Sequence, residues 1–336
     1  MLPPNTAEPG RSIWDGLSRK TFEERIDALH RTRFVPESRI LLEKDWPKQN
    51  SQDVLPFATE KQLCDNISFI AACEYGVGYV TAATIEPVKG DPWGLTLRLA
   101  ANEGVCNYVI EEIGKILRIL ERCAQKSEVN FLASQKHKLL LIYRATGLPR
   151  DQCIDKAFDT VVKLNKNRIL GRLASKLFRR PSYERRPLRN PLTVRLKEYI
   201  ASHKPARLLC EFPDFERLYA QIHVLHTSFF HMESSLAGEM VSATKYVVKD
   251  AFSLTEDGFS LPSRLEKIGF PTSVIDIREV REVNKVANYW RICRSLAHLS
   301  RSYRTFFTRL RLEVLKPYKP SPTIDMKLNK FVHAEV

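Results

Sequence analysis

The sequence predicts a mostly α protein with a small α+β unit, two antiparallel strands plus helices, and a helical bundle-like C-terminal half. Three observations predict it. One short stretch alternates apolar and polar residues next to a turn-rich segment. Several longer stretches repeat apolar residues every three or four positions. The chain of 336 residues, 43% hydrophobic and 27% charged, is long and apolar enough for one large core or two ordinary ones.

Residues 1–60 are dotted with proline and lack a long period, so they read as an N-terminal arm with one short helix over Thr21–Leu29. Residues 61–178 hold the α+β unit. Tyr79-Val80-Thr81 favours β structure, and Leu95-Thr96-Leu97-Arg98-Leu99 has the period of a half-buried strand. The stretch from Pro87 to Gly94 between them is dense in turn residues, which makes the pair a hairpin. Val109, Ile113, Ile116, Leu117, Leu120 and Ala124 then recur at helical spacing. Two more helices are expected over 131–178, parted by Gly147-Leu148-Pro149, with Asp151 as cap of the second.

Residues 179–191 read as a basic, proline-rich linker. Arg179-Arg180-Pro181, Arg185-Arg186-Pro187 and Arg189-Asn190-Pro191 follow too closely for regular helix. Residues 192–316 read as a helical domain. Apolar stripes run over Phe215–Ala237 and Glu239–Ala251, and Gly258–Gly269 reads as a loop. A long helical segment is expected from Asp276 to Leu315. Val283, Val286, Trp290, Cys293, Ala297, Tyr303, Phe307, Leu310 and Val314 follow a packing seam, with room for a break near Ser300.

The net charge of +14 is uneven. From Lys163 to Arg207 fourteen Lys and Arg face only Glu184 and Glu198, a local charge of +12. From Lys285 to Lys330 eleven face Glu313 and Asp325, a local charge of +9, so the remainder is acidic. Two basic surfaces of this kind attract nucleic acid, acidic protein or phosphates. Within them two sets are anion-binding candidates. The first is Arg179, Arg180, Arg185 and Arg186 among prolines, a contacting loop or simply a soluble linker. The second is Arg291, Arg294, Arg301 and Arg304, which with His298 and Arg311 follow one flank of the seam. It reads as an anion-binding face, or as a solvated side whose arginines pair with acids of a neighbouring helix.

His223, His226, His231 and Glu233 share one predicted helix. Their spacing is not the His-x-x-x-His of helical metal sites, so core or boundary histidines are the alternative to a zinc site. Seven widely spaced cysteines, none in Cys-x-x-Cys, read as free thiols. No phosphate loop, dinucleotide fingerprint or Gly-x-Ser-x-Gly elbow occurs. No apolar region follows Met1–Asn5 and no stretch is long enough to span a bilayer. The expectation is therefore an intracellular chain, cytoplasmic or nuclear, not secreted and without a membrane partner.

The last residues, Phe331-Val332-His333-Ala334-Glu335-Val336, contain the His-x-Glu half of a zinc deaminase signature. Together with Leu312-Glu313-Val314-Leu315 and the proline-rich run Lys316–Pro322, they resemble the start of the deaminase domain in a fungal, OTT-type, cytidine-deaminase-like family. The resemblance is specific over roughly the last 25 residues and implies a long, non-catalytic, helical N-terminal region. It implies His333 as a zinc ligand and Glu335 as the proton shuttle, each only if the missing domain is present. Residues 317–336 are then the truncated start of that domain. The Pro-Cys-x-x-Cys that supplies the remaining ligands is absent, so no cofactor and no deaminase activity are expected of the chain as given. The alternative expectation is a helical binding module that turns its basic faces to nucleic acid or an acidic protein.

Overall fold

A computed structural model describes residues 55–74, 79–88, 94–125, 148–179, 190–203, 213–255 and 260–316. Among these the chain forms α1 (Phe57–Ala71), β1 (Thr81–Val88), β2 (Gly94–Ala101), α2 (Asn107–Ala124), α3 (Arg150–Arg172) and α4 (Leu192–Ser202). It continues through α5 (Pro213–Ser234), α6 (Met240–Ser253), α7 (Leu261–Ile268), α8 (Thr272–Ile275), α9 (Arg278–Ser302), a 3-10 turn (Arg304–Phe307) and β3 (Leu310–Val314). The class is mostly α with a small sheet, as the sequence predicts.

Helix α9 is the axis on which the other helices gather. It packs against α1, α2, α3, α4, α6 and α7. Its buried positions, from Val280 and Val283 through Tyr289, Ile292, Cys293, Leu296 and Ala297 to Ser300, cover most of its circumference. That pattern marks a helix surrounded by others rather than one lying on a surface. Helix α2 buries every apolar residue of its predicted stripe. On α3, Phe158 is fully buried with its ring edge against Trp290, centroids 4.7 Å apart.

The sheet order is β1-β2-β3. The hairpin is antiparallel, from Thr81 opposite Ala101 to Val88 opposite Gly94. Leu95, Leu97 and Leu99 of the central strand are buried. On the other face Arg98 reaches Glu86 on β1 and, at 2.9 Å, Glu313 on β3, a charged ladder across all three strands. Apolar residues from Leu55 to Phe307 form one continuous buried cluster, fed by both 61–178 and 192–316.

The structure corrects the sequence reading in several places. The sheet has a third strand: β3 pairs parallel with β2, Leu95 opposite Leu310 to Leu99 opposite Val314. The expected long helix therefore ends at Ser302, and the 3-10 turn leads the chain back to the sheet. Leu310-Arg311-Leu312-Glu313-Val314 fits a strand by alternation as well as it fits a seam by spacing, and a free edge on β2 decides for the strand. The stretch from Gly258 to Gly269 contains a helix, α7. Ser260 caps it by accepting from the Ser263 N–H at 3.3 Å, and Gly269 ends it at a φ of 92°. Asp151 is not the cap of α3. Pro149 holds that position, and Asp151 lies in the first turn, where a carboxylate favours the helix dipole. Of the segment read as an arm, Leu55 sits in the core and α1 begins at Phe57. The Thr21–Leu29 helix, the helix expected before Gly147, most of the linker and residues 317–336 lie outside the described residues.

Candidate functional site

Steps of three, four and three return to the same side of a helix. Arg291, Arg294, His298 and Arg301 therefore share one flank of α9, and the 3-10 turn extends the row with Arg304. From Arg291 to Arg301 the row is about 15 Å long at the rise of an α-helix. Arg294 and His298 are exposed, while Arg291, Arg301 and Arg304 are half-buried. Phe252 on α6 supports the first two: the guanidinium carbons of Arg291 and Arg294 lie 5.9 and 5.4 Å from its ring centroid. Arg291 also donates to the Asn288 side-chain oxygen, and Arg304 Nε donates to the Arg301 carbonyl at 3.2 Å. Burial pushes the Arg291 pKa down from its ordinary value, yet a guanidinium remains charged at neutral pH.

None of Arg291, Arg294, Arg301 and Arg304 forms an ion pair among the described residues. Arginines elsewhere do. Arg98 pairs with Glu86 and Glu313, Arg172 with Glu282, and Arg195 with Glu279. Of the two meanings the stripe carried, pairing with acids of a neighbouring helix is thus not what this face does within the described residues. Arg311, the last of the row, is exposed on β3 opposite Thr96.

The first basic run is divided. Arg179 is exposed, and its backbone is clamped to Asn167, which accepts from the Arg179 N–H at 3.1 Å and donates to its carbonyl at 3.3 Å. Arg180, Arg185 and Arg186 lie outside the described residues. Arg168 and Arg172 turn instead into a cleft of about 350 Å³ between the end of α3 and the start of α9, with Arg278, Glu282, Tyr79 and Phe178 among its walls. Part of its charge is compensated internally. Glu282 holds Arg172 at 2.6 Å and Lys285 at 2.8 Å. Burial alone would raise the Glu282 carboxyl, but the Lys285 and Arg172 contacts outweigh it and hold its pKa below the ordinary value. Sequence reasoning missed this cleft. The available signal was an Arg168/Arg172 pair and an Arg278/Glu282 pair, each one turn apart, but their meeting is a tertiary fact.

His223 and His226 of α5 sit near Lys197. Lys197 Nζ is 3.1 Å from His223 Nδ1, and the His223 and His226 rings lie 6.4 Å apart. Burial, then Lys197 and His223, push the His226 pKa below its ordinary value. Glu233 accepts from Ser175 and faces Lys176 at 3.7 Å. Among the described residues no three His, Cys, Asp or Glu side chains converge in a way that could hold a metal ion. His333 and Glu335 lie outside those residues. Cys73, Cys123, Cys153 and Cys293 are buried free thiols, Cys64 is half-buried and Cys106 exposed. No helix among the described residues is long and apolar enough to cross a membrane. Compared with protein-family models, curated proteins and solved structures, the chain matches none.

Proposed function

We propose that this chain is a helical binding module that holds nucleic acid on the arginine face of α9. The observation that carries the reading is the row Arg291, Arg294, Arg301 and Arg304, presented on one flank without an ion-pair partner among the described residues. Guanidinium forks donate in pairs to phosphate oxygens and keep their charge at any physiological pH. A row of about 15 Å spans about four base-pair rises of 3.4 Å. Phe252 lies beneath Arg291 and Arg294 rather than open to a base, so the contact is to the backbone and independent of sequence.

The test is fluorescence anisotropy of a labelled single-stranded DNA titrated with the chain at low salt, repeated with Arg291→Ala/Arg294→Ala. Binding that weakens at least tenfold in the double variant supports the reading. Equal binding by the two proteins, or none by the wild type, overturns it. Preference for an acidic peptide over DNA would move the partner to an acidic protein.

The resemblance of residues 312–336 favours a second reading, in which the same region is the non-catalytic N-terminal part of a fungal deaminase-like protein. Zinc would then belong to the catalytic domain, with His333 as one ligand and Glu335 as proton shuttle. Sequencing the transcript through the Val336 codon tests it. A frame continuing into Pro-Cys-x-x-Cys supports it, and a stop codon in every transcript overturns it.

A further inference from the structure

The cleft between the end of α3 and the start of α9 is a second place where cations gather, apart from the arginine face. Arg168 and Arg172 reach it from the last two turns of α3, and Arg278 from the first turn of α9. Arg278 and Arg291 are separated by about 20 Å along α9 at the rise of an α-helix. Tyr79 and Phe178 supply aromatic walls. Local backbone structure places both. Thr81 Oγ1 donates to the Tyr79 carbonyl at 3.2 Å, just before β1. Ala174, at a φ of 53°, turns the chain sharply after α3, and the Phe178 N–H then donates to the Ser175 carbonyl at 3.2 Å.

The charges there do not cancel. Glu282 is shared between Arg172 at 2.6 Å and Lys285 at 2.8 Å, so one carboxylate meets two cations. Arg278 is exposed and forms no ion pair among the described residues. Glu74, the other acid of the wall, is exposed and therefore screened by water. Arg168, Arg172, Arg278 and Lys285 thus stand against Glu74 and Glu282, a surplus of two positive charges. The Arg172 side chain is 9% exposed, and its Nε has no hydrogen-bond partner among the described residues. A buried donor without a partner is uncommon, and on the wall of a cleft it marks an acceptor that the chain does not itself supply.

We propose that this cleft binds a small organic phosphate, its phosphate against Arg172 and Arg278 and a flat ring against Tyr79 and Phe178. Guanidinium forks donate in pairs to phosphate oxygens. A phosphate monoester carries about −1.5 to −2 charges at neutral pH, which matches the surplus of two cations, whereas a carboxylate would neutralise half of it. Aromatic walls take the face of a ring whatever its substituents. The size agrees. The cleft holds about 350 Å³, more than twice the roughly 150 Å³ of an apolar cavity that accepts benzene, which leaves room for one ring and one phosphate. The site does not rest on the DNA-binding reading of the arginine face.

The experiment is isothermal titration calorimetry of the full chain with phenyl phosphate, and separately with inorganic phosphate. Phenyl phosphate is expected to bind at one site per chain, about fivefold or more tighter than inorganic phosphate, because only it uses the aromatic walls. Arg278→Ala removes an exposed side chain without an ion pair, so the fold stays intact, and is expected to weaken phenyl phosphate about tenfold or more. Tyr79→Ala is expected to bring phenyl phosphate down towards the affinity of inorganic phosphate. Arg291→Ala/Arg294→Ala is expected to bind phenyl phosphate as the wild type does, and loss of binding in that variant would move the site to the arginine face and overturn the proposal. No binding at millimolar phenyl phosphate, or equal binding by the wild type and Arg278→Ala, would overturn it as well. Equal affinity of the wild type for the two phosphates would overturn the role of the aromatic walls.

Discussion

Replacing Gly94 with alanine tests the junction between β2 and β3. A Cβ on Gly94 would lie 3.0 Å from the Arg309 Cβ and 3.3 Å from the Arg309 carbonyl carbon, and closer still to the carbonyl oxygen. That oxygen accepts from the Leu95 N–H at 2.9 Å. The segment after Arg309 is also pinned, because Leu310 N–H donates to Glu121 Oε1 at 2.7 Å and Leu315 N–H to the Leu99 carbonyl at 2.8 Å. The strands must part, which breaks the Leu95 bond. Leaving a buried backbone group without its partner costs about 1–3 kcal/mol. Overpacking strain adds about 1–3 kcal/mol. Alanine also restricts the unfolded chain, which returns about 0.5–1 kcal/mol. The balance is a loss of about 1–5 kcal/mol, centred near 3 kcal/mol, or roughly 1 M in urea midpoint at an m-value near 3 kcal/mol/M. Urea unfolding followed by far-ultraviolet circular dichroism measures it. Were β3 not seated on β2, alanine would be neutral or slightly stabilising, and a midpoint equal to or above that of the wild type would refute the reasoning.

Glu282→Gln leaves Arg172 buried without its counter-charge and is expected to cost about 3 kcal/mol at neutral pH in the same unfolding assay. Because the folded Glu282 carboxyl lies below its ordinary value, its contribution is present above about pH 4.5 and is lost as pH falls through the folded pKa. The variant's stability should accordingly fall less steeply than the wild type's on the acid side. His226 has a depressed folded pKa as well, so the unfolded state takes up its proton first and stability falls as pH drops below about 6.5. His226→Gln is expected to flatten the difference in urea midpoint between pH 7.5 and pH 5.5; an unchanged difference would remove His226 from that account.

What the sequence made legible depended on whether one element decided its own fate. Helix α2 was legible because a single apolar stripe over eighteen residues has only one helical solution. The β2 alternation was legible for the same reason. By contrast, β3 was ambiguous. Leu310 and Val314 satisfy both the helical step and the strand step, and the partner that chooses between them, β2, is over two hundred positions away. Helix α7 was obscured by Gly258, Pro262 and Gly269. Pro262 lies in its first turn and Gly269 supplies its left-handed C-cap, so two apparent breakers are boundary signals. Of the candidate site, the spacing of Arg291, Arg294 and Arg301 was legible on one helix. Their lack of ion pairs among the described residues was not, since it depends on which acids the other helices bring near.

The salt dependence of DNA binding tests the central claim most directly. Four arginine–phosphate contacts on a single strand predict that log K falls against log salt with a slope of about −2.8, so affinity drops about 50-fold between 50 and 200 mM salt. Arg291→Ala/Arg294→Ala should halve that slope to about −1.4. A slope near zero in the wild type, or one that the double variant leaves unchanged, would contradict the assignment of the arginine face of α9 as the binding surface.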